Sequence, residues 1–408
     1  MTSSPISIVC LWLGLGLASG AAAATATTPA GEPTGLLTGK LANGSAYDTL
    51  WSVPLLYKNE ANPLLQELAL QGHLQTQYAS GSNGRGHFGT YDLSDKCTWD
   101  DVDVRRFRVG LRARVLGNWK LHTLFDIYPD LEPRIYKGIA EAYISYAPCD
   151  AFNISLGKAE LKFTREQEYS SRDHLPFERS QIVNQFYGGE LTGMWVSGKG
   201  IGGGWLYELG AYGNDRRDEW SEFNAGAIVL AKLGYNYSKA SGLDFAQAAI
   251  HYLHNTEPGY FVHGCSVPSP SYSDCIALSN DLTNGRLSLV TELFWGDGAM
   301  GRPDIYAFTA MPTCYLVPTK LQLVTTFQFA GSHDPNGVCL PTRYEALAPG
   351  TGDKAGDAYF AGYAGLNYYF YGQKLKVMSG VKYTHLDGGP GGGNSNGWTW
   401  LAGLRSAF

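Results

Sequence analysis

The sequence predicts an all-β protein: a transmembrane, antiparallel up-and-down β-barrel of about sixteen strands with its third long loop folded inward. Three observations predict it. Apolar and polar side chains alternate with period two from about residue 64 to the last residue. The connections between the alternating segments are by turns short and long. The composition, with 51 Gly, 26 Tyr and 10 Trp among 408 residues and only 17% charged, suits many strands, tight turns and aromatic rings at an interface. It excludes a disordered tail, a coiled coil and a nucleic-acid module with a strong basic field. Mean hydropathy is −0.17. That is too low for a bundle of membrane helices, and past residue 24 no run approaches the roughly 18–20 apolar residues a spanning helix needs.

At the N-terminus, an apolar run from Ile6 ends in the small residues Ala18 to Ala24, the pattern of a secretory signal and its cleavage site. Residues 1–24 are therefore expected to be a signal peptide and 25–63, rich in Ala, Thr, Gly and Pro, an N-terminal linker or periplasmic segment. The barrel is expected over 64–408. Six cysteines remain after cleavage: Cys97, Cys149, Cys265, Cys275, Cys314 and Cys339. In an exported chain they permit disulfides. Their pairing is open, although Cys265 and Cys275 would close a short loop, and no pair has metal-site spacing.

The strands follow in order, near 64–79, 104–116, 119–128, 135–147, 152–163, 190–197, 204–213, 223–236, 245–255, 275–282, 286–295, 304–316, 320–330, 359–371, 375–385 and 398–408. Turns such as Gly117-Asn118, Pro148-Cys149-Asp150 and Thr283-Asn284-Gly285 follow the even-numbered strands. Long stretches such as Ser80 to Asp103, Thr164 to Gly189 and Gly331 to Asp357 follow odd-numbered ones. Sorting of this kind is the plan of a bacterial outer-membrane barrel, with short turns at the periplasmic end. In lipid every backbone group must be paired, so the sheet has to close on itself, and only alternate side chains need be apolar. Low charge and low hydropathy then coexist.

One strand carries an unusual polar face. Phe107, Val109, Leu111, Ala113 and Val115 alternate with Arg106, Arg108, Arg112 and Arg114. A guanidinium facing lipid near the midplane costs roughly 2–4 kcal/mol, so these arginines are assigned to the lumen. Lys232, Lys320, Lys374, Lys376, Lys382 and Arg405 fall on the same face of their own segments. Against these cations stand few acids in register: Asp126, Glu141, Glu208 and Glu292; Asp92, Asp95, Asp100 and Asp101 are assigned to loops or flanks. The lumen thus reads basic in a chain whose net charge is −6. Planar guanidinium forks suit phosphate oxygens and stay charged at physiological pH. Several shallow sites in a row let an anion move from one to the next and leave. The competing arrangement pairs the arginines with acids of an inward loop, as a transverse field. The inward loop is expected at Thr164 to Gly189, with Arg165, Arg172, Glu178 and Arg179 at the constriction.

Four blocks resemble the phosphate-selective porin O and P family: Val104-Arg105-Arg106-Phe107-Arg108-Val109-Gly110-Leu111 with Gly117-Asn118-Trp119-Lys120; Glu141-Ala142-Tyr143-Ile144 with Leu156-Gly157-Lys158, Ser170-Ser171-Arg172 and Phe177-Glu178-Arg179-Ser180; Met311-Pro312-Thr313 with Lys320 to Val324; and Gly365 to Phe370 with Lys382-Tyr383-Thr384-His385. They are spread over most of the mature chain, in order. The resemblance implies a sixteen-stranded, homotrimeric outer-membrane channel that passes small anions, with phosphate or polyphosphate as the permeant. An anion channel of net charge −6 departs from that pattern.

No cofactor, metal or nucleic-acid partner is expected, and outer-membrane lipid is the surrounding medium. A hydrolase would need a nucleophile motif that the chain lacks. His251 and His254, three apart on one strand, point to opposite faces. A general porin for sugars or organic solutes, or an adhesion barrel, is the alternative.

Overall fold

The structure, a computed structural model, describes residues 45–83, 98–127, 135–186, 188–215, 217–221, 223, 226–259, 272–335, 337–339, 355–388 and 395–408. The expected signal segment, Asp92, Asp95, Cys97 and Cys265 lie outside the described residues.

A short helix α1 (Ala46–Ser52) and a strand β1 (Leu55–Lys58) precede the barrel. The barrel consists of β2 (Leu65–Asn83), β3 (Thr98–Val115), β4 (Trp119–Ile127), β5 (Tyr136–Cys149), β6 (Phe152–Glu160), β7 (Glu190–Ile201), β8 (Trp205–Gly213), β9 (Ala227–Asn236), β10 (Phe245–Asn255), β11 (Tyr272–Asn284), β12 (Leu287–Gly298), β13 (Ile305–Val317) and β14 (Leu321–Gly331). Two-residue strands β15 (Val338–Cys339) and β16 (Ala355–Gly356) form a separate ladder in the next loop, before β17 (Ala358–Tyr371), β18 (Leu375–Asp387) and β19 (Ser395–Ala407) complete the wall. Each barrel strand pairs antiparallel with its chain neighbours, β14 meets β17, and β19 returns to β2 from Gly397↔Asn83 to Ala407↔His73. The result is a closed antiparallel barrel of 16 strands. Closure leaves no lipid-exposed strand edge.

All sixteen expected strands are present, and several run further than expected on the long-loop side. Asp100 and Asp101, assigned to loops or flanks from sequence, are part of β3 and pair with Ser80 and Ala79. The expected linker also has structure. Ser45 and Asp48 form a capping box at α1, Trp51 Nε1 donates to the Ala407 carbonyl at 2.5 Å, and the Tyr371 hydroxyl donates to Asp48 at 2.6 Å. β1 then pairs with β2 along the line that β19 occupies further up.

Turn chemistry sets the register of the short connections. Gly285 adopts φ +58° after Asn284, the left-handed conformation that a tight hairpin demands. Gly110 serves a different purpose: a Cβ there would lie 1.8 Å from the Thr123 carbonyl oxygen, so only glycine lets β3 and β4 approach so closely.

The lipid-facing side chains are those of the expected apolar faces, such as Leu111, Leu121, Val381, Trp400 and Leu404, all exposed. Aromatic pairs mark both rims: Trp119 with Tyr146 and Trp205 with Tyr235 near the short turns, Tyr306 with Phe329 and Tyr383 with Trp398 nearer the loops. Rings with a polar tip favour such interfaces.

The lumen differs from the sequence expectation of a uniformly polar inner face. Leu161, Phe163, Ile182, Val183 and Phe186 of the third loop pack with inward residues of β9 to β14, including Ile228, Leu230, Phe294 and Ile305, all buried. Apolar side chains occupy inward positions there because a loop, not water, covers them.

Of the cysteines, Cys339 is disulfide-bonded, whereas Cys149, Cys275 and Cys314 are free thiols. The Cys265 to Cys275 closure considered from sequence is therefore not formed.

Candidate functional site

The third long loop runs between β6 and β7 and includes α2 (Arg165–Glu168) and α3 (Gln181–Gln185). Both helices are too short to hold themselves, so the wall holds them. Thr164 and Ser180 cap their N-termini. Glu292 of β12 accepts from the Arg165 and Glu166 amides at 2.6 and 3.3 Å. Arg165 binds Asp281 at 2.7 Å and Glu168 at 2.7 Å. Gln75 donates to the Ser171 carbonyl at 2.8 Å, Asn367 to that of Leu175 at 2.8 Å, and Gln328 accepts from the Gln181 amide at 2.8 Å. The loop is thereby fastened to β2, β11, β12, β14 and β17.

Several wall cations proposed from sequence are used in this fastening. Lys232 pairs with Glu168. Lys376 donates to the His174 carbonyl at 2.6 Å and to Gln373 at 2.7 Å. Arg405 donates to Gln77 at 2.7 Å and to the Phe177 carbonyl at 3.1 Å. Lys382 is half-buried on the same face of β18 as Lys376. Lys320 and Lys374 stand in short turns, at the end of the barrel and off its wall. Strand alternation extended one residue too far into each turn assigned those two to the lumen.

The arginines of β3 lie elsewhere. Arg106 and Arg108, with Arg105, line a cavity of about 550 Å³ between β3 to β6 and the loop residues Ser171, Glu178 and Arg179. Arg105 enters the lumen because of a bulge: Gln75 pairs with Arg106 but Thr76 pairs with Val104, which leaves Arg105 unmatched. Two consecutive side chains then share one face. Strict alternation sends Arg105 outward, so only the register reveals it. Lys137, Lys158 and Arg217 also reach the cavity; Lys158, on the parity of the exposed Leu156, and Arg217, in a loop, likewise carry no period-two signal.

Most of these charges have partners. Arg105 binds Glu178 at 2.7 Å, and Arg108 binds both Asp126 at 2.6 Å and Glu190 at 3.2 Å. Arg179 pairs with Glu160. Towards the periplasmic end, Arg112 binds Glu67 at 3.1 Å and Arg114 pairs with Glu60. Arg172, nearly half exposed, lies 3.2 Å from Asp173. The inward acids are thus more numerous than the sequence suggested: Asp103, Glu160, Glu178, Glu190 and Asp218 line the cavity beside Asp126. Arg106 is different. Its Nη1 donates to Gln75 at 3.0 Å, and among the described residues it makes no ion pair.

Electrostatics of the loop follow from this crowding. Burial opposes ionisation of Glu178, but Arg105 and Arg106 beside it outweigh burial and hold its carboxyl well below the usual carboxylate range. Burial, reinforced by Arg179 and Arg106, pushes His174 down, so its ring stays neutral and Nε2 accepts from Arg179 Nε at 3.2 Å.

The histidines considered for hydrolysis do not share a site. His251 is buried against Ser279 at 3.2 Å, whereas His254, on the opposite face, meets Asp274 at 3.0 Å.

Comparison with known proteins agrees with this architecture. The family described as phosphate-selective porin O and P matches residues 81–236. Among solved structures, the outer membrane channel DcaP of Acinetobacter baumannii aligns with a TM-score of 0.53 at 14% identity, over 86% of this chain and 99% of that one. The anion-selective porin from Comamonas acidovorans aligns at 0.53 and 11% identity, over 84% and 99%. OmpF of Salmonella typhi, in complex with daunomycin, aligns at 0.55 and 12% identity, over 87% and 100%. No curated protein matches by sequence. The resemblance to the phosphate-selective porin O and P family is borne out over the matched segment, and the fold is that of an outer-membrane porin.

Proposed function

We propose that this outer-membrane porin is a passive, anion-selective channel whose permeant is inorganic phosphate or polyphosphate, and that the anion is met at Arg106. The observation that carries this reading is the absence of an ion pair at Arg106, among the described residues, on a strand whose other inward arginines are all matched by acids. An unneutralised guanidinium beside Arg105, Arg108 and Arg179 offers planar donors to phosphate oxygens. It is one weak site, which favours passage over capture. The porin fold and the family match support a channel, and in this reading the chain is not an enzyme. Residues 1–24 export it, residues 25–63 belong to the periplasmic side, and three copies form the working assembly.

Planar-bilayer recording tests the selectivity. The wild-type protein in a KCl gradient gives a reversal potential of anionic sign, and millimolar phosphate reduces chloride current. Arg106→Ala abolishes both. Cation preference in the wild type, or unaltered phosphate block in the variant, rejects the reading.

A second reading draws on the pairing itself. Arginines facing acids across one cavity make a transverse field, the arrangement of a general porin for polar organic solutes. In that case Arg106→Ala changes solute permeation and leaves ion preference near neutral.

A further inference from the structure

The loop between β8 and β9 occupies a place where a strand is missing. β5 begins at Tyr136, but its pairing with β6 ends at Ala142↔Lys158, which leaves the loop-side end of β5 without that neighbour. Residues 217–221 fill the vacancy. The Ile139 amide donates to the Asp218 carbonyl at 2.8 Å, and a Cβ on Gly138 would lie 2.6 Å from that same oxygen. On the far side, the Ser221 amide donates to Thr192 Oγ1 at 2.7 Å and the Thr192 amide to Ser221 Oγ at 3.1 Å.

Lys158 lies beneath this segment. Its position in β6 has the parity of Leu156, which is 58% exposed, yet Lys158 is 1% exposed. Its ammonium donates to three successive carbonyls, those of Arg217 at 2.6 Å, Asp218 at 3.0 Å and Glu219. An ammonium has three donors and no acceptor, so three convergent carbonyls satisfy it fully. Arg217, Asp218 and Lys158 all line the cavity that contains Arg106.

We propose that Lys158 is a positioning residue for the channel: by gripping the 217–219 carbonyls it holds residues 217–221 in the gap beside β5 and keeps Arg217 and Asp218 as one wall of the permeation path. The proposal rests on that cavity being the path through the porin, and not on the path preferring anions. Without the ammonium the segment loses its central attachment and the path widens.

Full-length protein in planar bilayers supplies the test, with single-channel conductance as the readout and the heat-modifiable band on gels as the check of barrel folding. Lys158→Met is expected to raise conductance about two-fold, because a narrow stretch limits flow, and Lys158→Arg to restore most of the wild-type value. A folded Lys158→Met channel of wild-type conductance overturns the proposal. Should that variant fail to fold, Thr192→Val loosens the segment from its other side; raised conductance supports the proposal, and wild-type conductance rejects it. If the wild type proves non-selective while Lys158→Met still raises conductance, the anion reading fails and this one stands.

Discussion

On β3 the inward arginines other than Arg106 meet carboxylates and the space in front of the row stays open, whereas from β9 to β14 the inward face meets the third loop through Leu230, Ile228, Phe294 and Ile305 and the space is filled. One loop makes both halves. Its apolar residues Ile182, Val183 and Phe186 turn towards the filled side, and its charged residues Glu178 and Arg179 turn towards the open one. The lesson is that the passage through the barrel is placed by where the loop is anchored, because the barrel alone encloses far more space than the cavity retains.

The filled half is the place to break first. Phe186 is buried against Phe163, Tyr272 and Phe294 at ring separations of 5.7, 5.1 and 5.5 Å. Phe186→Ala is expected to cost about 3–5 kcal/mol, seen as a lower midpoint in denaturant unfolding, and to raise channel noise as the loop loosens. An unchanged midpoint would show that the apolar packing is dispensable.

A smaller but more specific effect belongs to the open half. Arg108→Ala removes the cation that meets both Asp126 and Glu190 at the cavity. The reversal potential is expected to move towards cations by more than any single lysine substitution achieves. Lys376→Met is the control, since Lys376 serves a loop carbonyl on the other side; an equal shift from both variants would erase the distinction between the halves.

Glu178 sharpens the comparison through pH. Its folded-state carboxyl titrates well below the ordinary value of 4.5, against the pull of burial and because of Arg105 and Arg106. A depressed carboxylate stabilises fully above its unfolded value and loses that contribution only as pH falls through the folded one. The charge that Glu178 places beside Arg105 and Arg106 should therefore stay constant between neutral pH and about pH 5. Glu178→Gln removes one negative charge beside Arg105 and Arg106 and is expected to increase anion preference at neutral pH; a decrease would mean that Glu178 does more than offset the arginines.

The smallest effect is expected at the periplasmic end. Arg112 is 49% exposed and paired with Glu67, and exposed pairs contribute about 0–1 kcal/mol. Arg112→Ala should shift the reversal potential only slightly, and a shift as large as that of Arg108→Ala would return the whole row of arginines to the mechanism.

By itself the sequence determined the closed barrel, its sixteen strands, the sorting of turns and loops, and the inward facing of Arg106, Arg108, Arg112 and Arg114. Alternation is a local property, and lipid enforces it on every strand that must hide its backbone. Tertiary structure alone decided which charges are neutralised. Glu178 meets Arg105 across 73 residues and Glu190 meets Arg108 across 82, and such distances carry no periodic signal. The bulge that turns Arg105 inward is a matter of register between β2 and β3, and Lys320 and Lys374 were misplaced because alternation does not announce where a strand stops. The packed half of the lumen was hidden for the same reason. An inward leucine and a lipid-facing one look alike in sequence, until the loop that covers one of them is in place.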